Sequence, residues 1–104
     1  MTAEVRESGD GGFLAELVLP DGRRVLVGAE PLVIGRLPEC DVVLADSNVS
    51  RRHAELRRKG DGVFVTDLGS TNGTRVNGTP VREQLLNSGD EISVGSTGLI
   101  FEMS

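Results

Sequence analysis

The stretch Leu14-Ala-Glu-Leu-Val-Leu-Pro-Asp-Gly-Arg-Arg-Val-Leu-Val27 sets the fold class. Two short apolar runs flank Pro20-Asp21-Gly22. Proline presets the turn dihedral, and glycine supplies the positive φ that closes a tight reversal. Together they predict a β-hairpin. The same grammar recurs down the chain. Pro31-Leu-Val-Ile-Gly35 and Val42-Val43-Leu44 are short apolar runs. His53 to Arg58 alternates Ala54 and Leu56 with polar neighbours. Gly60-Asp61-Gly62 turns into Val63-Phe-Val-Thr-Asp67, and Asn72-Gly73 and Asn77-Gly78 are tight-turn signals. Ile92-Ser-Val94, Gly95 to Gly98, and Leu99 to Met103 read as a closing hairpin. No window has the three-and-four apolar spacing of a helix, and Glu83-Gln84-Leu85-Leu86 is one helical turn at most. Closely spaced turns between β-branched strands predict an all-β sandwich or small barrel.

The chain has 104 residues, with 11 Lys+Arg against 16 Asp+Glu, a net charge of −5. This length suits one domain with a core that needs neither metal nor disulfide. Residues 1–12 are polar and end in Ser8-Gly9-Asp10-Gly11-Gly12, so a flexible arm is expected there and one domain over 13–104. No apolar stretch approaches the ~20 residues of a membrane span. The first residues carry no apolar leader core, and neither a secretory signal nor membrane insertion is expected. Cys40 is the single cysteine, which excludes an internal disulfide and a multi-cysteine zinc site. A lone thiol suits the reducing cytoplasm, the expected location. The acidic balance and the absence of Trp and Tyr argue against nucleic acid as a partner.

Four polar groups fall at strand ends and in loops. They are Gly35-Arg36, Ser50-Arg51-Arg52-His53, Asp67-Leu-Gly-Ser70 and Thr71-Asn72-Gly73-Thr74. Loops on a rigid β scaffold commonly carry binding groups. The set suits a phosphate dianion: a planar, always-charged guanidinium fork, short-stemmed hydroxyls, and glycine-flanked turns that aim backbone N–H groups. Arg57-Arg58-Lys59 reads as a solvated charge run that could also add positive potential near an acidic peptide. Ser50, His53 and Asp67 supply the residue types of a hydrolase triad. However, no Gly-x-Ser-x-Gly elbow is present, and a structural Ser50–His53 pair explains the spacing more simply.

Read jointly, these motifs resemble the forkhead-associated (FHA) domain. The matching text is Leu32-Val-Ile-Gly-Arg36, Cys40-Asp-Val-Val-Leu44, Val49-Ser-Arg-Arg-His-Ala54, Phe64 through Thr74, Val76-Asn-Gly78 and Leu86-Asn-Ser-Gly-Asp90. The resemblance implies an eleven-stranded β-sandwich of two sheets with binding loops at one end. It implies a non-catalytic module for phosphothreonine peptides, an adaptor in Ser/Thr kinase signalling whose partner is a kinase or its substrate, with no cofactor or metal. By position, Arg36 and Ser50 hold the phosphate, Arg51 adds its backbone N–H, Thr71 contacts the phosphothreonine, and Asn72 bonds the peptide main chain. His53 ties the Ser50 loop to its neighbours without touching ligand, and Gly35 and Gly73 permit the local backbone paths. Asn48 is a candidate reader of the residue three beyond the phosphothreonine. The rival expectation is a phosphate-independent interaction or dimerisation module, built on exposed sheet edges.

Overall fold

A computed structural model describes residues 13–104; the expected arm over 1–12 lies outside them. Eleven strands form two sheets: β1 (Ala15–Val18), β2 (Arg24–Leu26), β3 (Leu32–Gly35), β4 (Val42–Val43), β5 (Ala54–Lys59), β6 (Gly62–Asp67), β7 (Thr74–Val76), β8 (Thr79–Val81), β9 (Glu83–Leu85), β10 (Glu91–Val94) and β11 (Thr97–Met103). One sheet runs β2-β1-β11-β10-β7-β8 and the other β4-β3-β5-β6-β9. The β3–β4 pair is parallel, whereas β3–β5, β5–β6 and β6–β9 are antiparallel. The architecture is therefore the sandwich alternative rather than the barrel.

Alternation builds the core. Ala15 and Leu17 on β1, Leu32 and Ile34 on β3, Leu56 on β5, Val63 and Val65 on β6, Ile92 and Val94 on β10, and Leu99 and Phe101 on β11 all face inward and are buried. Each fully buried large aliphatic side chain is worth about 1.5–3 kcal/mol over exposure. A one-residue slip in any of these strands would turn its apolar set to solvent, so burial fixes register.

Two elements depart from the sequence expectation. Glu83–Leu85 is a strand, not a helical turn, and pairs with β6 through Phe64↔Leu85 and Thr66↔Glu83. Three residues gain little from one turn of helix, whereas the open edge of β6 offers a ladder. Secondly, the last reversal is only Gly95-Ser96, because Thr97 and Gly98 already pair with Val94 and Ser93. Asn77 (φ 52°) and Gly78 (φ 86°) join β7 to β8, the two positive angles of a type I′ hairpin.

The Arg57-Arg58-Lys59 run is also more structured than a solvated charge run. Arg58 is half-buried, stacks 4.3 Å from the Phe13 ring centroid, and donates to the Val27 and Phe13 carbonyls. It ties the far end of the sandwich together. Arg57 pairs with Glu55, and Lys59 with Glu83.

The registers Ile34↔Ala54 and Ala54↔Asp67 put the end of β3, the start of β5 and the end of β6 together. Val94↔Thr74 and Val94↔Thr97 do the same for the starts of β7 and β11 and the end of β10. His53, which leads into β5, donates to the Gly73 carbonyl, just before β7, so these two clusters share one end of the sandwich.

Candidate functional site

At this end lies an open pocket of about 430 Å³. Arg36, Asn48, Ser50, Arg51, Thr71 and Asn72 all line it, together with Arg52. Every residue expected to bind is thus in one place, although the sequence spans 36 to 72. Among the described residues no carboxylate lines the pocket.

The loops are positioned by bonds between side chains and main chain. Arg36 follows β3 directly; its backbone N–H donates to the Ser50 carbonyl at 3.1 Å, and its Nε to the Val49 carbonyl at 2.7 Å. One of its five N–H donors is spent, and the terminal nitrogens have no partner among the described residues. Ser50 Oγ accepts the Thr71 N–H at 3.0 Å and keeps its own proton to donate. The Thr71 backbone is therefore committed, and only its hydroxyl is left for a ligand. Among the described residues the Arg51 N–H has no acceptor, as its expected role requires. Asn72 Nδ2 donates to the Asn48 carbonyl at 2.9 Å, leaving the Asn72 carbonyl oxygen free to accept.

His53 is fully buried and reaches no pocket surface. Nδ1 accepts the Ser50 N–H at 3.0 Å, which fixes the neutral tautomer with the proton on Nε2, and that N–H donates to the Gly73 carbonyl at 2.8 Å. Both ring nitrogens are held by main chain. The triad geometry is not formed: Ser50 Oγ bonds Thr71 N–H rather than the imidazole, and Asp67 bonds Ser70 and Thr74. Gly35 is required by close approach. A methyl there would run into the Arg51 carbonyl and lie 2.9 Å from Cys40 Sγ. Gly73 is required by its dihedral, at φ 83°.

Asn48 is placed differently from a free reader. It is exposed at the pocket, but its amide donates to Ser96 Oγ at 2.7 Å. Behind it sits Asp46, which the sequence reading missed. Its carboxylate accepts from Asn48 N–H, Ser96 N–H and the Thr97 hydroxyl, tying the β4–β5 loop to the β10–β11 hairpin. These bonds, the Asn48 N–H first among them, hold its pKa below the ordinary carboxylate range. The local signal was present: Asp46 bonding the N–H two residues on is an Asx turn. Its link to residues 50 positions away carries no such signal.

Asp67 is the second clamp. Burial pushes its pKa up, but the hydroxyls of Ser70 and Thr74 and the N–H groups of Ser70 and Gly69 outweigh that and bring it below its ordinary value. Ser70 Oγ in turn accepts the Gly73 N–H at 2.9 Å. Gly69, Ser70 and Gly73, on either side of Thr71 and Asn72, are thereby held without using the groups that face the pocket. Arg36, Arg51 and Arg52 are exposed, and among the described residues none is in an ion pair. The arrangement presents three guanidinium groups, two hydroxyls and a main-chain N–H to an anion.

Comparison with known proteins agrees with this geometry. Residues 32–95 match the FHA domain family. The oxoglutarate dehydrogenase inhibitor of Corynebacterium jeikeium is 49% identical over 80 residues, 77% of this chain and 56% of that protein. The glycogen accumulation regulator GarA of Mycolicibacterium smegmatis is 45% identical over 80 residues, 77% of this chain and 51% of that one. The chain thus spans about half the length of these curated relatives. Among solved structures, one described as a study of phosphothreonine-dependent FHA domain interactions has a TM-score of 0.83 at 40% identity, covering 88% of this chain and 97% of that one. The FhaA FHA domain complexed with the intracellular domain of Rv3910 has a TM-score of 0.80 at 40% identity, covering 85% of this chain and 99% of that one. With the motifs, the two sheets and the loop cluster all in agreement, the chain belongs to the FHA domain family.

Proposed function

We propose that this chain is a non-catalytic, cytoplasmic adaptor that binds phosphothreonine peptides of a Ser/Thr kinase or its substrate. The observation that carries the reading is the gathering of the Arg36 guanidinium, the Ser50 and Thr71 hydroxyls and the Arg51 N–H around one pocket that no carboxylate lines among the described residues. A phosphate at neutral pH brings about −1.5 to −2 charges and three acceptor oxygens, which these donors match. Arg36 and Ser50 hold the phosphate oxygens, the Arg51 N–H completes the set, Thr71 lies beside the phosphothreonine, and Asn72 bonds the peptide main chain. His53, Gly35 and Gly73 act behind the surface. The likeness to a domain described by phosphothreonine-dependent interactions supports the same reading. Preference for threonine over serine rests on its methyl, worth about 0.8 kcal/mol by transfer.

The test is titration of one peptide in phosphothreonine, phosphoserine and unmodified forms against the wild type and Arg36→Ala. A charge-assisted bond is worth about 1.5–3 kcal/mol, so Arg36→Ala should weaken phosphopeptide binding about 10- to 150-fold. Equal affinity for the phosphorylated and unmodified peptide, unaffected by Arg36→Ala, would overturn the reading in favour of a phosphate-independent module.

A further inference from the structure

Three cross-links give the pocket two unlike ends. Asn72 Nδ2 bonds the Asn48 carbonyl, Thr71 N–H bonds Ser50 Oγ, and Leu68 N–H bonds the His53 carbonyl at 2.9 Å. The segments 48–53 and 68–72 therefore run antiparallel across the site. Ser50 and Thr71 mark the centre. Asn48 and Asn72 form a carboxamide end, and Arg52 and Gly69 form the other, where both line the pocket.

Arg52 has no role in holding the loop. It is exposed, and neither an ion pair nor a side-chain hydrogen bond engages it among the described residues. Among the described residues Arg23, Arg24, Arg57 and Lys59 are each paired with a carboxylate, whereas Arg36, Arg51, Arg52, Arg75 and Arg82 are not. In a chain of net charge −5, three unneutralised guanidinium groups line this one pocket, and Arg52 is the one at the end away from Asn48 and Asn72. Glycine at 69 removes any side chain that would cover it from the facing loop.

We infer that Arg52 recognises a second negative charge on the bound peptide, an acidic side chain or a second phosphate flanking the phosphothreonine on the side away from Asn48 and Asn72. The inference rests on the phosphothreonine reading and adds a specificity determinant to it. An exposed ion pair is worth about 0–1 kcal/mol, so the preference for Asp over Asn at that flank is up to about fivefold. It is a screened interaction, weakening as salt shortens the Debye length.

The experiment uses synthetic phosphothreonine peptides carrying Asp or Asn at each neighbouring position on either side, titrated at low and high salt. The wild type should favour Asp on one flank by about three- to fivefold, and salt should reduce that ratio. Arg52→Ala and Arg52→Gln should erase the ratio while discrimination against the unphosphorylated peptide persists, and Arg52→Lys should retain part of it. An acid preference surviving both Arg52 variants, no acid preference in a wild type that still requires phosphate, or an equal loss for all peptides would overturn the inference. A wild type indifferent to phosphorylation would instead overturn the reading of the site itself.

Discussion

Replacing His53 by Ala should damage both stability and binding, although the ring touches no pocket surface. The imidazole joins the Ser50 N–H to the Gly73 carbonyl and is fully buried. Truncation orphans one donor and one acceptor. Each unsatisfied group costs about 1–3 kcal/mol, and a water entering the polar hole recovers part of that, so the expected loss is about 3 kcal/mol. Small domains have about 5–15 kcal/mol in all, so the variant folds, with a lowered urea midpoint. The Ser50 and Thr71 loops lose their common strut, and phosphopeptide affinity should drop with them. His53→Gln offers an acceptor and a donor on a flexible stem and should recover more than His53→Leu, which offers neither. Nitrogen-edited NMR of the wild type should show the proton on Nε2. A proton on Nδ1, or a variant that loses less than about 1 kcal/mol and keeps its affinity, would refute the strut.

Two further outcomes follow from the same geometry. Gly35→Ala should overpack the site by about 1–3 kcal/mol, because the new methyl pushes on the Arg51 carbonyl that Leu37 N–H and Cys40 S–H both use. Thermal melting and peptide titration should fall together, and an unchanged melting point would contradict the close approach. Asp67 has a folded pKa below its ordinary value of 3.8, so its charged form contributes stability that is complete above the unfolded pKa and lost as pH falls through the folded one. Denaturation midpoints measured from pH 7 down to pH 3 should therefore decline at the acid end, and less steeply in Asp67→Asn; equal slopes would show that the clamp adds nothing.

What was legible in the sequence divides by range. Strands with a buried face announce themselves by alternation, as in Leu17, Leu56 and Val65, and the Asn77-Gly78 hairpin by its dihedral demands. β9 did not, because all three of its residues are exposed and its existence depends on the vacant edge of β6. At the site, residue types suggested an anion, but convergence was visible only through the family resemblance. The bonds that create it join Arg36 to Val49, Ser50 to Thr71, and Asp46 to Ser96 and Thr97, and local pattern contains none of them. Arg58 shows the opposite error, since a charged run looks solvated until the fold places Phe13 against it.

The acidic total and the anion pocket are reconciled by distance. A carboxylate ~10 Å from a phosphate of about −1.5 to −2 charges costs only about 0.6–0.8 kcal/mol in water, and salt lowers that further. A charge-assisted hydrogen bond at the phosphate is worth about 1.5–3 kcal/mol. Near-field donors therefore decide binding, and net charge acts on encounter. The same reasoning explains the use of Asp46 and Asp67 as loop clamps. A carboxylate offers about four acceptor sites against a hydroxyl's two, and both aspartates spend that capacity on main-chain N–H groups and neutral hydroxyls. Neither pairs with Arg36, Arg51 or Arg52. Clamping the same loops with ion pairs to those arginines would have neutralised the positive charge that lines the pocket. The scaffold can be acidic because its rigidity comes from aspartates that leave the guanidinium groups unclaimed.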